Sequence, residues 1–158
     1  MENIDTRLAD FGKNLLDKTS LAEGLDYISM NAKSMIGAER CSIFIYNQEE
    51  NELWTTLADG AEKIVIPYDI GICGQTIRVG KPIIENEPYD NSNFLSDIDM
   101  QTGYYTQNVL TAPIFDSRRE IIGVLQLLNK EGGFHKKDVE RISSFSDHVS
   151  RFIEEKGV

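Results

Sequence analysis

Cysteine and histidine are both scarce in this chain of 158 residues, which has two of each. Cys41 lies in an apolar run and Cys73 between glycines, and neither belongs to a CxxC pair or a cluster with histidine. Structural zinc and iron–sulfur sites need such clusters, so we expect no metal and no cofactor. Two cysteines also cannot build a disulfide framework, which favours a reducing compartment. We therefore predict a cytoplasmic protein.

Positive charge and long apolar runs are lacking as well. The formal net charge is -10, which repels DNA, RNA and anionic membranes. No stretch reaches the roughly 18 apolar residues that a membrane helix needs, and the first residues, MENIDTRLADFG, lack the apolar region of a signal peptide. We therefore expect no nucleic-acid partner and no membrane partner. The length suits one domain.

Apolar residues at helical spacing predict helices near both ends of the chain. The first is predicted over 2–17 and the last over 135–155. Ser20 is an N-cap signal for a second helix over 21–36, which Gly37 ends. The apolar stripes of the first and last helices could cover a sheet, bury each other or meet a second subunit.

Runs rich in β-branched and aromatic residues predict the strands between these helices. Pro82 near the start of one run marks it as an edge strand. The most apolar run, from Ile121 to Leu128, is predicted to be central. Strands and helices are segregated along the chain, which is typical of an α+β fold with one antiparallel sheet. The predicted strands are 41–46, 53–57, 64–66 (stopped by Pro67), 81–86, 109–115 and 121–128.

Two features of the middle of the chain point to a ligand. Gly71 to Val79 reads as a short helix entered through Gly-Ile-Cys-Gly, and the N–H groups of such a helix start can bind a phosphate without arginine. Glycines at this position equally suit a simple tight turn. Residues 87–107 are polar and aromatic without a period, and about twenty irregular residues in a compact domain are usually a functional loop or lid.

Gln126 is an amide inside an otherwise apolar strand, IIGVLQLL. Burying an amide without a partner costs roughly 1–3 kcal/mol. Gln126 should therefore bond either a neighbouring group or a ligand, and we favour the ligand.

Four segments, 39–46, 66–76, 102–114 and 121–130, together resemble the GAF domains of cyclic-nucleotide phosphodiesterases and bacterial adenylyl cyclases. The resemblance implies one GAF domain over residues 1–158, with a core of about 20–156 preceded by the N-terminal helix. It implies a GAF/PAS-like α+β fold, in which a central antiparallel sheet of about six strands carries the N- and C-terminal helices on one face. A helix and loop lid would cover the other face.

The resemblance also implies a regulatory domain that binds a cyclic nucleotide, cAMP or cGMP, and has no catalytic residue. Asn129, Lys130, Phe134 and Asp138 match the NKFDE signature of that subtype, but Val139 stands where its glutamate is expected and the gap before Phe134 is short. A salt bridge from Lys130 to Asp138 near the pocket is implied as well. By position, the implied ligand-binding residues are Ser42, Ala58, Asp59, Ile72, Cys73, Asp99, Thr102, Thr106 and Gln126.

Signalling would run through the terminal helices to an output domain of the full-length protein or to a partner in a homodimer. Two other functions remain open. The chain could be a GAF module that binds no ligand and only dimerises. It could also be a free methionine sulfoxide reductase, since Cys73 lies in a segment that resembles those enzymes. That reaction needs a reactive thiolate and a resolving partner, however, and Cys41 is predicted to lie in a core strand.

Overall fold

The structure, a computed structural model, describes residues 4–18, 20–54, 65–67, 71–88 and 106–155. The helices within these residues are α1 (Ile4–Leu16), α2 (Leu21–Ile36), α3 (Gly71–Val79) and α4 (Lys136–Glu155). The strands are β1 (Ala38–Asn47), β2 (Glu52–Trp54), β3 (Val65–Pro67), β4 (Ile83–Glu85), β5 (Val109–Phe115) and β6 (Ile121–Lys130).

The six strands form one antiparallel sheet in the order β3-β2-β1-β6-β5-β4. The two strands of ten residues, β1 and β6, pair at its centre because their apolar and β-branched side chains are buried on both faces. This confirms the central position predicted for Ile121 to Leu128. β4 lies at an edge directly after Pro82, as predicted, and the α+β fold class is confirmed.

Side-chain alternation gives the sheet two different faces. Cys41, Ile43 and Ile45 of β1 belong to the large apolar core together with the helices α1, α2 and α4, which we call the helical layer. Phe44 points the other way and packs with Cys73 of α3. The face that carries α3 is therefore separate from the main core, and it is the face on which a ligand site was expected.

The apolar stripes of the first and last helices bury each other. Phe11 of α1 stacks on Phe145 of α4, with ring centroids 4.3 Å apart, and on Tyr27 of α2 at 5.5 Å. Phe11 and Phe145 are both buried. The last helix also covers β5, so mutual burial and cover of the sheet are both observed. A role toward a second subunit stays a prediction.

Local signals set the ends of α2. The Ser20 side chain accepts a hydrogen bond from the Glu23 N–H at 3.1 Å, and Gly37 has φ of 84°, a left-handed conformation that glycine adopts without steric cost. Both predicted signals are confirmed. Pro67 is the last residue of β3 rather than the residue after it, since a proline on an edge strand removes no ladder hydrogen bond.

Other predicted boundaries differ slightly or fall outside the described residues. The first helix ends at Leu16 instead of residue 17, and β1 and β6 are longer than predicted because pairing extends beyond the apolar runs. The predicted second strand continued to residue 57, of which the structure describes only the part to Trp54. Within the described ranges, no helix is long and apolar enough to cross a membrane.

Gly24→Ala tests the packing of α2 against α4. A Cβ atom on Gly24 would lie 1.9 Å from the Phe152 ring, which is completely buried and cannot easily move. We expect a loss of about 1–3 kcal/mol in urea unfolding, although alanine alone would favour the helix by roughly 1 kcal/mol. Met30→Ala, at an exposed position of α2, is the control and should change stability by less than about 0.5 kcal/mol. Equal or higher stability of Gly24→Ala would contradict the tight packing.

Candidate functional site

Helix α3 lies on the face of the sheet opposite the helical layer. It begins at Gly71, whose φ of 76° favours glycine, and its residues Ile72, Cys73 and Thr76 are buried against the sheet. The first N–H groups of a helix have no partner within the helix and carry partial positive charge. Ile72 and Cys73, both predicted ligand contacts, contribute two of these N–H groups.

Three polar side chains cross the sheet beneath α3 in one row. Gln126 of β6 lies directly opposite Ser42 of β1 on one side and Thr111 of β5 on the other. Directly opposite residues of antiparallel strands share a face, with Cβ atoms about 5 Å apart. Gln126 bonds Cys73 and Thr111 bonds Thr76, so the shared face is the one that α3 covers. We call Ser42, Gln126 and Thr111 the polar row.

The hydrogen bonds of the polar row are incomplete. The Gln126 amide nitrogen donates to the Cys73 sulfur at 3.6 Å, and sulfur is a weak acceptor. Within the described residues, neither the Gln126 amide oxygen nor the Ser42 hydroxyl has a hydrogen-bond partner, although Ser42 is only 9% exposed. Neither oxygen is fully enclosed, since the enclosed side-chain oxygens without a partner among the described residues are Ser29 Oγ and Gln75 Oε1. Water or a ligand can therefore reach Ser42 and Gln126.

The surroundings of Gln126 agree in part with the prediction made from the sequence. Gln126 is partly buried, as an amide in an apolar strand suggested, and the structure shows a neighbouring group, Cys73, as the partner of its nitrogen. Its role toward a ligand stays a prediction.

The two cysteines lie on opposite faces of the sheet. Cys41 belongs to the apolar core beside the helical layer, and Cys73 packs with Phe44 and Val124 beneath α3. Burial raises the pKa of the Cys73 thiol from 9.0 to about 12, because the thiolate would lose its hydration. Cys73 is therefore a protonated, weakly reactive thiol at neutral pH, and Cys41 is not placed to resolve it.

The ion pair implied by the NKFDE resemblance is present. Lys130 at the end of β6 contacts Asp138 in the first turn of α4, with Nζ and Oδ1 2.6 Å apart. The other carboxylate oxygen of Asp138 accepts from the His135 N–H at 2.9 Å, which closes the start of α4 as in a capping box. The pair lies four residues beyond Gln126 on β6, roughly 13 Å along the strand.

Two asparagines fasten the chain on either side of residues 87–107 to this same region. The Asn108 side chain accepts from the Lys130 N–H at 2.7 Å and donates to the Lys130 carbonyl at 3.0 Å. Asn86 does the same with Phe134, at 3.0 Å and 3.3 Å. Each side-chain amide therefore forms the same pair of backbone hydrogen bonds that a residue of a neighbouring strand would form. We call residues 129–135 the β6–α4 junction.

The structure brings four of the predicted ligand-binding residues together: Ser42, Ile72, Cys73 and Gln126 lie on or beneath α3. Thr106 is buried just before β5. Ala58, Asp59, Asp99 and Thr102 lie outside the described residues. Sequence reasoning missed Thr76 and Thr111, and it missed Asn86 and Asn108. In the sequence, each of these four residues is only a polar side chain beside or within an apolar run, and this pattern does not show which group it will bond.

A cleft of about 190 Å³ lies at another place, between β5 and α4 on the side of the helical layer. Its lining includes Ser146, whose hydroxyl donates to the Ile142 carbonyl, and the carboxylate of Asp147. Asp147 is the charged residue among its described lining residues, so the cleft suits an anion poorly. It shares no residue with the polar row.

Comparison with known proteins gives the family. The GAF domain model matches residues 20–153, and the chain belongs to the GAF domain family. The predicted resemblance is thereby confirmed. Curated relatives include the cGMP-specific 3',5'-cyclic phosphodiesterases of Drosophila mojavensis and Drosophila virilis, each 33% identical over 132 residues. The matches cover 72% of this chain but only 12% and 15% of those proteins.

Solved structures share the fold at low sequence identity. The GAF domain of a phosphoenolpyruvate-protein phosphotransferase from Coxiella burnetii has a TM-score of 0.86 at 16% identity, covering 97% of this chain and 94% of that one. The corresponding Acinetobacter domain has a TM-score of 0.82 at 15% identity, covering 98% and 96%. A free methionine-R-sulfoxide reductase from Neisseria meningitidis has a TM-score of 0.75 at 16% identity, covering 94% and 87%. These likenesses support the fold alone.

Lys130→Met tests the ion pair at the β6–α4 junction. Asp138 is 2% exposed, so removing its partner leaves a buried charge, and we expect a loss of about 3 kcal/mol in urea unfolding. Asp138→Asn in the Lys130→Met background removes that charge and should recover much of the loss. Lys137→Met, at an exposed position, is the control for losing a lysine. If the double variant is no more stable than Lys130→Met, the unpaired carboxylate is not the cause.

Proposed function

We propose that this domain senses a cyclic nucleotide, bound between α3 and the polar row, and that it regulates an output domain or partner. One observation carries the proposal: the Ser42 hydroxyl and the Gln126 amide oxygen lie side by side beneath the start of a helix without partners among the described residues. Side-chain oxygens that have no protein partner and can be reached from outside are suited to a polar ligand.

The phosphate would bind to the N–H groups of Ile72 and Cys73. The chain has a net charge of -10, so an anion has to be held by local dipoles. Gly71 and Gly74 carry no side chains and let the backbone approach the phosphate closely. Helix dipoles aligned with an anion contribute typically about 0.3–1 kcal/mol, and more in partly buried sites.

The base would lie over the polar row. An amide both donates and accepts, so Gln126 can complement the edge of guanine or adenine by choosing between two orientations. In doing so its nitrogen would exchange the weak Cys73 sulfur for a stronger acceptor. The curated relatives are cGMP-specific phosphodiesterases, which favours cGMP over cAMP as the first ligand to test. Ala58, Asp59, Asp99, Thr102 and Thr106 remain the further predicted contacts.

Signalling would use the β6–α4 junction. β6 carries Gln126 at its middle and Lys130 at its end, and Lys130 joins α4 through Asp138. Asn86 and Asn108 attach the neighbouring chain to the same junction. A change at the polar row can therefore reach α4 along one continuous strand. Because the chain spans a small part of its curated relatives, the output domain, its activity and a homodimer are part of this proposal.

The two alternative functions are less well supported. The helical stripes that suggested a purely dimerising module are used within the chain, where Phe11 stacks on Phe145. The reductase reading needs a reactive thiolate, whereas burial raises the pKa of Cys73 to about 12 and Cys41 faces the other side of the sheet.

Ligand-dependent stabilisation is the direct test of the proposed function. At 100 times its dissociation constant, a bound nucleotide should add about 2.7 kcal/mol to the stability of the folded domain. We expect cGMP to raise the melting temperature and non-cyclic GMP to raise it less, with cAMP measured in parallel. No effect of either cyclic nucleotide at millimolar concentration would sink the proposal.

Ser42→Ala locates the ligand on the polar row. Losing one buried hydrogen bond to the ligand costs about 1–2 kcal/mol, so the dissociation constant measured by calorimetry should rise about 5- to 30-fold. Ser144→Ala is the control, since Ser144 is exposed on α4 and its hydroxyl bonds its own helix. Unchanged affinity of Ser42→Ala for cGMP would remove Ser42 from the site.

The reductase alternative has its own test. The purified domain, supplied with free methionine sulfoxide and a thiol reductant, should show no turnover above the rate of the reductant alone, because the Cys73 thiol is protonated and enclosed. A rate that disappears in Cys73→Ser would instead establish the enzyme.

A further inference from the structure

Helix α3 is joined to the sheet by a short chain of hydroxyl hydrogen bonds. Thr76 Oγ1 lies 3.0 Å from the Ile72 carbonyl of its own helix and 2.5 Å from Thr111 Oγ1 of β5. Thr76 and Thr111 are both completely buried. No other hydrogen bond of either side chain is found in the described ranges, so these contacts account for both hydroxyl groups.

The direction of these bonds follows from counting protons. A hydroxyl has one proton to donate. The Ile72 carbonyl can only accept, so the Thr76 proton goes to it. The bond between the two threonines must then be donated by Thr111, with Thr76 Oγ1 as acceptor. The chain therefore runs from Thr111 through Thr76 to Ile72 in the first turn of α3.

The register of the sheet ties this anchor to the proposed ligand groups. Thr111 lies directly opposite Gln126, which in turn lies directly opposite Ser42. One row of the sheet thus carries both the unpartnered groups and the attachment of the helix above them. The other hydrogen bond between the sheet and α3, from Gln126 to the Cys73 sulfur, is long and weak. The hydroxyl chain is therefore the stronger polar attachment of α3.

We propose that Thr111 is a positioning residue for the ligand site: through Thr76 it holds the start of α3 over Ser42 and Gln126. This inference rests on the proposed function and adds to it the part of the chain that sets the distance between the phosphate site and the base site. A shift of α3 by about 1 Å would misplace the N–H groups of Ile72 and Cys73 without touching the polar row itself.

Thiol labelling measures the anchor without any ligand. Cys73 becomes accessible only when α3 lifts from the sheet, whereas Cys41, on the opposite face, reports unfolding of the main core. The folded protein is treated with a disulfide reagent at pH 8, and the two cysteine-containing peptides are quantified by mass spectrometry. The labelling ratio is the Cys73 labelling rate of a variant divided by that of the parent. As long as Cys73 is labelled faster than Cys41, this ratio reports the lifting of α3 and not unfolding of the main core.

Thr111→Val keeps the volume of the side chain and removes its proton, and it should raise this ratio about tenfold. Thr111→Ser restores the hydroxyl and should leave the ratio within about threefold of the parent. Gly24→Ala, which weakens the helical layer, should raise Cys41 labelling and leave the labelling ratio of Cys73 near one. An unchanged ratio in Thr111→Val overturns the anchoring.

The direction of the two hydrogen bonds predicts that Thr76→Val and Thr111→Val have different effects, which a difference in packing alone would not predict. Thr76→Val leaves the Thr111 proton without an acceptor and the Ile72 carbonyl without the Thr76 hydroxyl. Thr111→Val leaves only the Thr76 oxygen without a donor. Thr76→Val should therefore raise the labelling ratio more than Thr111→Val. Replacing both threonines by valine should bring the ratio below that of Thr76→Val alone. The reverse ranking would overturn the assigned direction.

Binding of cGMP then tests the positioning role. Thr111→Val should weaken binding about tenfold, and Thr111→Ser should bind within about threefold of the parent. If Thr111→Val raises the labelling ratio but binds cGMP as the parent does, α3 is anchored by Thr111 and the positioning role is wrong. If the parent binds neither cGMP nor cAMP, the proposed function and the positioning role both fail, while the labelling ratio still decides the anchor.

Discussion

The antiparallel pairing of β1 with β6 determines on which face of the sheet Ser42 and Gln126 lie. Its register sets Ser42 against Gln126 and Ile43 against Leu125. A slip by one residue would turn every side chain of a strand to the opposite face. Ser42 would then enter the apolar core, and Ile43 would lie beneath α3. The apolar residues that the helical layer covers therefore also hold the polar row in place.

This arrangement separates the apolar core from the polar row within one sheet. The face toward the helical layer is packed with apolar side chains such as Ile45 and Leu127, which lie against the helices and are completely buried. The other face carries Ser42, Gln126 and Thr111 beneath a helix of nine residues. Polar groups between a sheet and a helix are costly when unpaired. The fold can accommodate the polar row because the helical layer supplies most of the buried apolar surface. In addition, α3 forms hydrogen bonds with part of the row.

Features set by neighbouring residues could be predicted from the sequence. Ser20 and Gly37 act within one turn of helix, and the apolar run from Ile121 to Leu128 needs only its own composition to read as a central strand. The resemblance supplied the pair of Lys130 with Asp138, which are eight residues apart. It also supplied four residues that the structure brings together around α3.

Features that depend on distant residues could not be predicted in this way. Thr76 meets Thr111 across 35 residues, and Asn86 meets Phe134 across 48. A threonine in a strand or an asparagine beside a loop is ordinary, and nothing local shows which partner it will find. The identity of the anchor for α3 therefore depended on the sheet register, which composition and periodicity do not specify.

The contacts of α4 limit how a signal can leave the domain. At its start, Asp138 holds Lys130 of β6. At its end, Glu154 accepts from the N–H and hydroxyl groups of Ser117, in the turn between β5 and β6, at 3.1 and 3.2 Å. Sliding α4 along the sheet would break both attachments. Moving α4 together with β5 and β6 breaks neither, and these two strands carry Thr111 and Gln126. The helix and the polar row therefore belong to one mechanical unit, so that the proposed ligand would act on α4 without a separate relay.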